Sequence, residues 1–184
     1  GKSGTGKSTL MKLICGFYNV NSGSIKIDNT NIDSMDIDYL RNQIGMLTQN
    51  IRMFETSIID NIKYGNDNIK DNDVYNFINK YKINVYQSLN NDLSTKIKPN
   101  ETNLSGGQKQ IALLIKTILS NKKILILDEP TSALDDYHFE VVRRIIFDLK
   151  GKKTLLIISH DNRFQKKEFD NVYQIKNQTF IPIN

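Results

Sequence analysis

Three short, unbroken apolar runs punctuate the chain: Ile44–Leu47, Ile124–Leu127 and Thr154–Ile158. Continuous apolar character predicts strands covered on both faces, as in a parallel sheet. Between the runs lie helical stretches. Ser8–Phe17 continues a glycine-rich opening, Gly106–Leu119 carries apolar residues on most faces, and Phe139–Leu149 repeats them at helical spacing. Strand alternating with helix predicts an α/β sandwich. The segment Ile58–Asn103 breaks the pattern: it is polar, Asn-rich and helix-leaning, and reads as a mostly helical insertion. Ser24–Asp28 and Val172–Ile175 read as further short strands, Phe180–Asn184 carries no strong signal, and no internal repeat is visible.

Composition changes this picture little. A chain of 184 residues suffices for one domain with its own core, and 39% hydrophobic and 24% charged residues are ordinary for such a domain. The net charge of +5 is spread along the chain, with no basic block and no aromatic-interleaved stripe, so it gives little reason to expect a nucleic-acid partner. Cys15 is the only cysteine. An intrachain disulfide and a cysteine-built metal site are therefore impossible, which suits a reducing compartment, and Cys15 is expected to act as a small buried apolar residue. No apolar run approaches the roughly 18–20 residues that span a bilayer, so any membrane-embedded part lies outside these residues. No signal peptide is visible, since the first residues already form a functional loop.

The chemistry concentrates in three places. Gly1-Lys2-Ser3-Gly4-Thr5-Gly6-Lys7-Ser8 matches the phosphate-binding loop over its whole length. Its glycines let backbone N–H groups turn inward around phosphate oxygens, and the loop then opens a helix whose N-terminus favours anions. Lys7 would reach the β- and γ-phosphates of a nucleotide, and Ser8 would place its hydroxyl on Mg²⁺. Second, the run Ile124–Leu127 ends on Asp128-Glu129, which puts two carboxylates at the sheet edge where ligands bind in open α/β sheets. Asp128 would support Mg²⁺, and Glu129 would orient or deprotonate an attacking water. Third, in Leu104-Ser105-Gly106-Gly107-Gln108 a natural helix N-cap is followed by two glycines that leave N–H groups open to an anion.

The three motifs together resemble the ATP-binding cassette family, with Leu104–Gln108 in the place of its signature sequence, and the resemblance covers nearly the whole chain. It implies a P-loop NTPase sandwich: a mostly parallel core sheet formed by residues 1–49 and 122–184, and an inserted helical subdomain, 50–121, carrying the signature. It implies ATP as nucleotide, held by Gly1, Ser3, Gly4, Thr5, Gly6, Lys7, Ser8 and Thr9, with Ser105, Gly106, Gly107, Gln108 and Asp135 also at nucleotide. Gln49 resembles the glutamine that touches Mg²⁺ and the attacking water, joining Ser8 and Asp128 as metal-site residues and Glu129 and His160 as catalytic ones. Ser132-Ala133-Leu134-Asp135 resembles the loop that meets a second cassette, and His160, after Thr154–Ser159, resembles the switch histidine at the γ-phosphate. His138 reads as an ordinary surface or core residue. Gln49, Asp128, Glu129 and His160 all fall just past apolar runs, so one sheet edge is expected to gather them.

Leu40–Gly45, Gln49 and Phe54–Ile62 resemble exporter-type cassettes, which are usually fused to a transmembrane domain. The resemblance implies hydrolysis of Mg-ATP to power export of a substrate that these residues do not specify. It places the domain on the cytoplasmic face of a membrane, paired head to tail with a second cassette. The chain departs from the exporter pattern in three places: Ile97-Lys98-Pro99 stands where exporters carry Val-Gly-Glu, Ile111 where they carry Arg, and Pro130 where many carry Ala. The family also has two strands and an adenine-stacking aromatic ahead of the phosphate loop, so the chain reads as a piece of a longer protein. The alternative is a soluble cassette ATPase acting on nucleic acid or the ribosome. A cassette that binds ATP without turnover is disfavoured by intact Lys7, Glu129 and His160.

Overall fold

The computed structural model describes residues 6–49, 52–86, 92–176 and 179–183. The chain divides into two compact units, residues 1–44 with 160–184, and residues 45–159.

The first unit opens with helix α1, Lys7–Ile14. The apolar pattern carries on to Phe17, but the helix stops at Ile14, because Gly16 turns left-handed at φ 65°. The N–H of Phe17 then bonds Lys12 O and that of Gly16 bonds Leu13 O, which satisfies the last carbonyls in a Schellman closure. A side chain at Gly16 would also collide with Ile37, whose Cδ1 would stand 2.6 Å from its Cβ. Cys15 is buried as expected, and burial raises its thiol pKa, so it is a poor nucleophile. Strands β1 (Lys26–Ile27) and β2 (Thr30–Asn31) form a tight antiparallel hairpin. Asp28 and Asn29 both take positive φ in its turn, the backbone that matches strand twist, and this trims the strand predicted over Ser24–Asp28. Asp36 caps α2 (Ile37–Gln43) through the N–H of Tyr39. Near the C-terminus, β6 (Tyr173–Lys176) pairs antiparallel with β7 (Thr179–Pro182). The sequence pattern gives no sign of β7, whose four residues are all exposed.

The second unit holds the central sheet, in the order β3 (Ile44–Leu47), β4 (Ile124–Asp128), β5 (Thr154–Ile158), with β3 starting at the last residue of the first unit. β4 and β5 are parallel and in register from Ile124 opposite Thr154 to Asp128 opposite Ile158. Leu125, Ile126 and Leu127 are fully buried, as a continuous apolar run predicts for a covered strand. Helices α3 (Ile58–Lys63) and α4 (Asp71–Tyr81) pack on α5 (Gly106–Leu119). Helix α6 runs Asp136–Leu149. It starts three residues ahead of the apolar pattern because Asp135 accepts the N–H of His138 and so sets the N-terminus earlier. The span 50–121 contains α3, α4 and α5, and its strand-like pairing among the described residues is the bridge between Ser57 and Lys96. No helix among the described residues is long and apolar enough to cross a membrane.

Candidate functional site

The first cluster lies in the first unit. Gly6 adopts φ 96° and forms the N-cap of α1 with no side-chain capping bond. A left-handed N-cap needs glycine, and it starts the helix so that Lys7, Ser8 and Thr9 occupy the first turn. Ser8 and Thr9 are exposed there. Lys7 Nζ donates to His160 Nε2 at 2.6 Å, joining residues 153 positions apart. Both side chains were singled out from the sequence as phosphate-directed, and the structure brings them together. Gly1, Ser3, Gly4 and Thr5 lie outside the described residues.

The second cluster lies in the second unit, at the C-terminal ends of the sheet strands. Asp128 closes β4 with 8% of its surface exposed, and Glu129 follows with 7%. The N–H of Glu129 donates to Ile158 O at 2.7 Å, extending the β4–β5 ladder one residue beyond the strand. Glu129 itself takes φ 52°. A non-glycine residue in the left-handed region is strained, and such strain collects at functional sites. Glu129 Oε1 is shielded from solvent. Gln49 is exposed two residues past β3, the strand beside β4.

The third cluster is the start of α5, in the same unit. Ser105 Oγ accepts the N–H of Gln108 at 3.2 Å, and Gln108 Oε1 accepts the N–H of Ser105 at 2.8 Å. This reciprocal capping box explains why the helix begins at Gly106. Gln108 is buried and also donates through Nε2 to Val85 O at 3.0 Å, while Tyr86 Oη donates to Gln108 O at 3.0 Å. The Tyr86 phenol is wholly buried, which raises its pKa and keeps it neutral. Gln108 thus serves the frame of the helix start rather than its exposed surface. Gly107 has a second reason to be glycine: a Cβ there would stand 3.1 Å from Ala133 O.

The loop Thr131–Asp135 is fixed from both ends. Asp135 caps α6, and its two carboxylate oxygens lie 2.8 and 3.0 Å from His138 Nδ1. The bond from the His138 N–H, followed by that from its side chain, holds the Asp135 carboxyl below the usual carboxylate range. His138, an ordinary surface or core histidine on its sequence, is therefore a partner in this cap. Gln110 acts at the other end of the loop. Its Nε2 donates to Glu129 O at 2.6 Å and to Ser132 Oγ at 3.3 Å, and its Oε1 accepts the N–H of Ala133 at 3.0 Å. Sequence reasoning gives Gln110 no role, since nothing in the motif spacing says which way its amide points. Buried Asn61 is a similar case: it bonds the Phe54 backbone on both sides, Thr56 Oγ1 and Ser57 O, and so shapes the segment after Gln49.

A glycine-started helix carrying a lysine, a buried Asp-Glu pair ending a sheet strand, and a capped Ser-Gly-Gly helix start are thus all present as folded elements. Residues 1–132 match the ABC transporter family. The chain belongs to that family. This ABC chain is 35% identical over 161 residues to ABC transporter B family member 13 of Arabidopsis thaliana, which covers 87% of this chain and 13% of that protein. It is 35% identical over 162 residues to an ATP-dependent lipid A-core flippase of Vibrio parahaemolyticus, covering 87% and 28%. Among solved structures it resembles a bacterial Atm1-family ABC exporter with ATP bound, at a TM-score of 0.79 and 29% identity, over 87% of this chain and 28% of that one. The ABC chain therefore spans about a quarter or less of these relatives' length. Its fold is that of an ABC ATPase domain, a P-loop NTPase with the parallel β4–β5 pair at its centre.

Proposed function

We propose that this domain binds and hydrolyses Mg-ATP and that the protein containing it uses the hydrolysis to export a substrate across a membrane. The observation that carries the reading is the meeting of Lys7 and His160 at the start of α1. The lysine ammonium and the imidazole converge there on a helix N-terminus with no side-chain cap among the described residues, and such a terminus favours phosphate. Backbone N–H groups and Lys7 hold the β- and γ-phosphates, His160 contacts the γ-phosphate, and Glu129 takes or orients the proton of the attacking water. The strained backbone and burial of Glu129 suit a base held ready in one orientation.

Ser8, Gln49 and Asp128 would hold Mg²⁺. One hydroxyl, one amide and one buried carboxylate match an ion that keeps waters and takes few protein ligands. When bound, the ion neutralises phosphate charge.

The partners follow from the same reading. A transmembrane domain, on the same polypeptide, supplies substrate selectivity, and the cassette sits on the cytoplasmic face. The relatives with this domain are described as a flippase, a permease and an exporter. A second cassette packs head to tail, so that the Ser105–Gln108 helix start of one closes over the ATP held by the other, a self-complementary two-fold contact.

The test is steady-state hydrolysis by the full-length protein in lipid vesicles. Glu129→Gln is expected to keep nucleotide binding and to lower turnover by about 10²–10⁴-fold, the usual share of a general base. Near-normal turnover would remove Glu129 from this role.

A further inference from the structure

Gln110 lies in the second turn of α5, just past the Ser105-Gly106-Gly107 start, and every bond described for its amide leaves the helix. Glu129 O accepts three donors: Gln110 Nε2 at 2.6 Å, Ser132 Oγ at 3.2 Å and the Ser132 N–H at 3.3 Å. Ser132 Oγ also accepts from the same Gln110 amide. Gln110 Oε1 takes the N–H of Ala133, whose carbonyl would stand 3.1 Å from a Cβ at Gly107. One side chain therefore binds the loop at two points, on either side of Ser132, and the glycine beside it lets the loop approach closely. The carbonyl that Gln110 grips belongs to the residue with φ 52°. A left-handed glutamate persists only where its surroundings over-determine it, and the short bond from Gln110 restrains that carbonyl from outside the turn itself.

We propose that Gln110 is a positioning residue: it fixes the backbone of Glu129, and with it the direction of the carboxylate, to the start of the signature helix. The two ends of α5's first turns then serve different nucleotides. The Ser105–Gly107 start meets ATP on a second cassette, while Gln110 sets the base for the ATP held by its own chain. Engagement of one is passed to the other through a single amide. This rests on the assignment of Glu129 as base.

The test compares Gln110→Leu and Gln110→Glu with the unaltered full-length protein in lipid vesicles, following hydrolysis against ATP concentration. Leucine has similar size and removes all three bonds. Glutamate keeps an acceptor for the Ala133 N–H but sets a carboxylate oxygen against Glu129 O. Because Gln110 is only partly buried, both variants are expected to fold. The expected result is a fall in kcat of about ten- to a hundred-fold for both, the scale of a misplaced catalytic group, with KM within about two-fold and an unchanged melting temperature. Unchanged kcat, or a kcat that falls only in step with melting temperature, overturns the proposal. Glu129→Gln in the same assay separates the two ideas. If it abolishes turnover while Gln110→Leu and Gln110→Glu are normal, only the positioning role fails; if it retains turnover, the base assignment fails first.

Discussion

Two helices of this chain begin at glycines and are both read as phosphate-facing, yet they begin by different means. Helix α1 starts at Gly6 in a left-handed conformation, has no side-chain cap, and buries one residue, Met11, among the eight it contains. Helix α5 starts at Ser105 with a reciprocal capping box and buries eight of its fourteen residues. The first shows no side-chain cap among the described residues; the second has already satisfied one N–H through Ser105 Oγ and is anchored by Gln108. A helix end without a protein cap is incomplete until an anion completes it. In the proposed reading, the first helix start is completed by its ligand and the second is ready in advance for ATP held by a second cassette.

The largest effect that tests this contrast is on ATP affinity. Lys7→Ala removes a charge-assisted bond of about 1.5–3 kcal/mol and is expected to weaken ATP binding by calorimetry about ten- to a hundred-fold. Ser105→Arg, at the other helix start, is expected to leave binding to a single cassette unchanged and to abolish the ATP-dependent pairing of cassettes in the Glu129→Gln background, read by light scattering. Equal losses of affinity for both variants would break the distinction. Next comes amide exchange in the Ser105→Arg protein. Saturating Mg-ATP at about 100 times Kd contributes about 2.7 kcal/mol to the bound state. Amides of α1 are expected to slow by up to about a hundred-fold, and those of α5, buried and capped already, to change far less.

Glycine replacement sharpens the contrast at a smaller scale. Gly6→Ala meets no atom of the described residues within 4 Å of the added Cβ, so its expected cost is the left-handed backbone, about 1–2 kcal/mol. Gly107→Ala has no such backbone penalty but forces Ala133 O back from 3.1 Å. Urea unfolding with and without ATP tells them apart: ATP is expected to stabilise Gly107→Ala and Ser105→Ala as much as the unaltered protein, leaving their deficits in place, about 1 kcal/mol for Ser105→Ala, whereas for Gly6→Ala the stabilisation by ATP is itself smaller. The smallest effect concerns pH. The Asp135 carboxyl is held below its ordinary value by its bonds from His138, so its capping contribution is present above the unfolded carboxylate pKa and is lost as pH falls through the folded one. Asp135→Asn keeps the cap without the titration, and its melting temperature is expected to fall less than that of the unaltered protein below about pH 4. Parallel curves would show that the cap does not depend on the charge.

Legibility in the sequence follows how local each cause is. The α5 boundaries coincide with the expectation because Ser105 and Gln108, three residues apart, contain the whole capping box. Strand β5 likewise coincides, being one apolar run between polar neighbours. Helix α4 lies inside the segment read as mostly helical, and Val74, Phe77, Ile78 and Tyr81 fall at helical spacing, but its bounds were not marked because only Val74 and Tyr81 of its eleven residues are buried. Its start depends on Asp73 accepting the N–H of Lys70, a cap that the residue types alone do not announce. At the site, residue identities were readable but their restraints were not. Lys7 and His160 could be named, not their 2.6 Å contact; Glu129 could be named, not its φ of 52° or the amide of Gln110 behind it. Those restraints join residues 19 to 153 positions apart, and chain folding alone brings them together.

The twisted backbone of Glu129 has a consequence for protein engineering. A buried acid in a left-handed conformation forfeits about 1–3 kcal/mol of stability, so selection for heat tolerance alone favours other residues at this position. Asparagine or glycine, which accept that conformation readily, would raise the melting temperature of the domain while erasing the proposed base. A library screened only for thermal survival is expected to enrich such replacements, and its hardiest members would be inert.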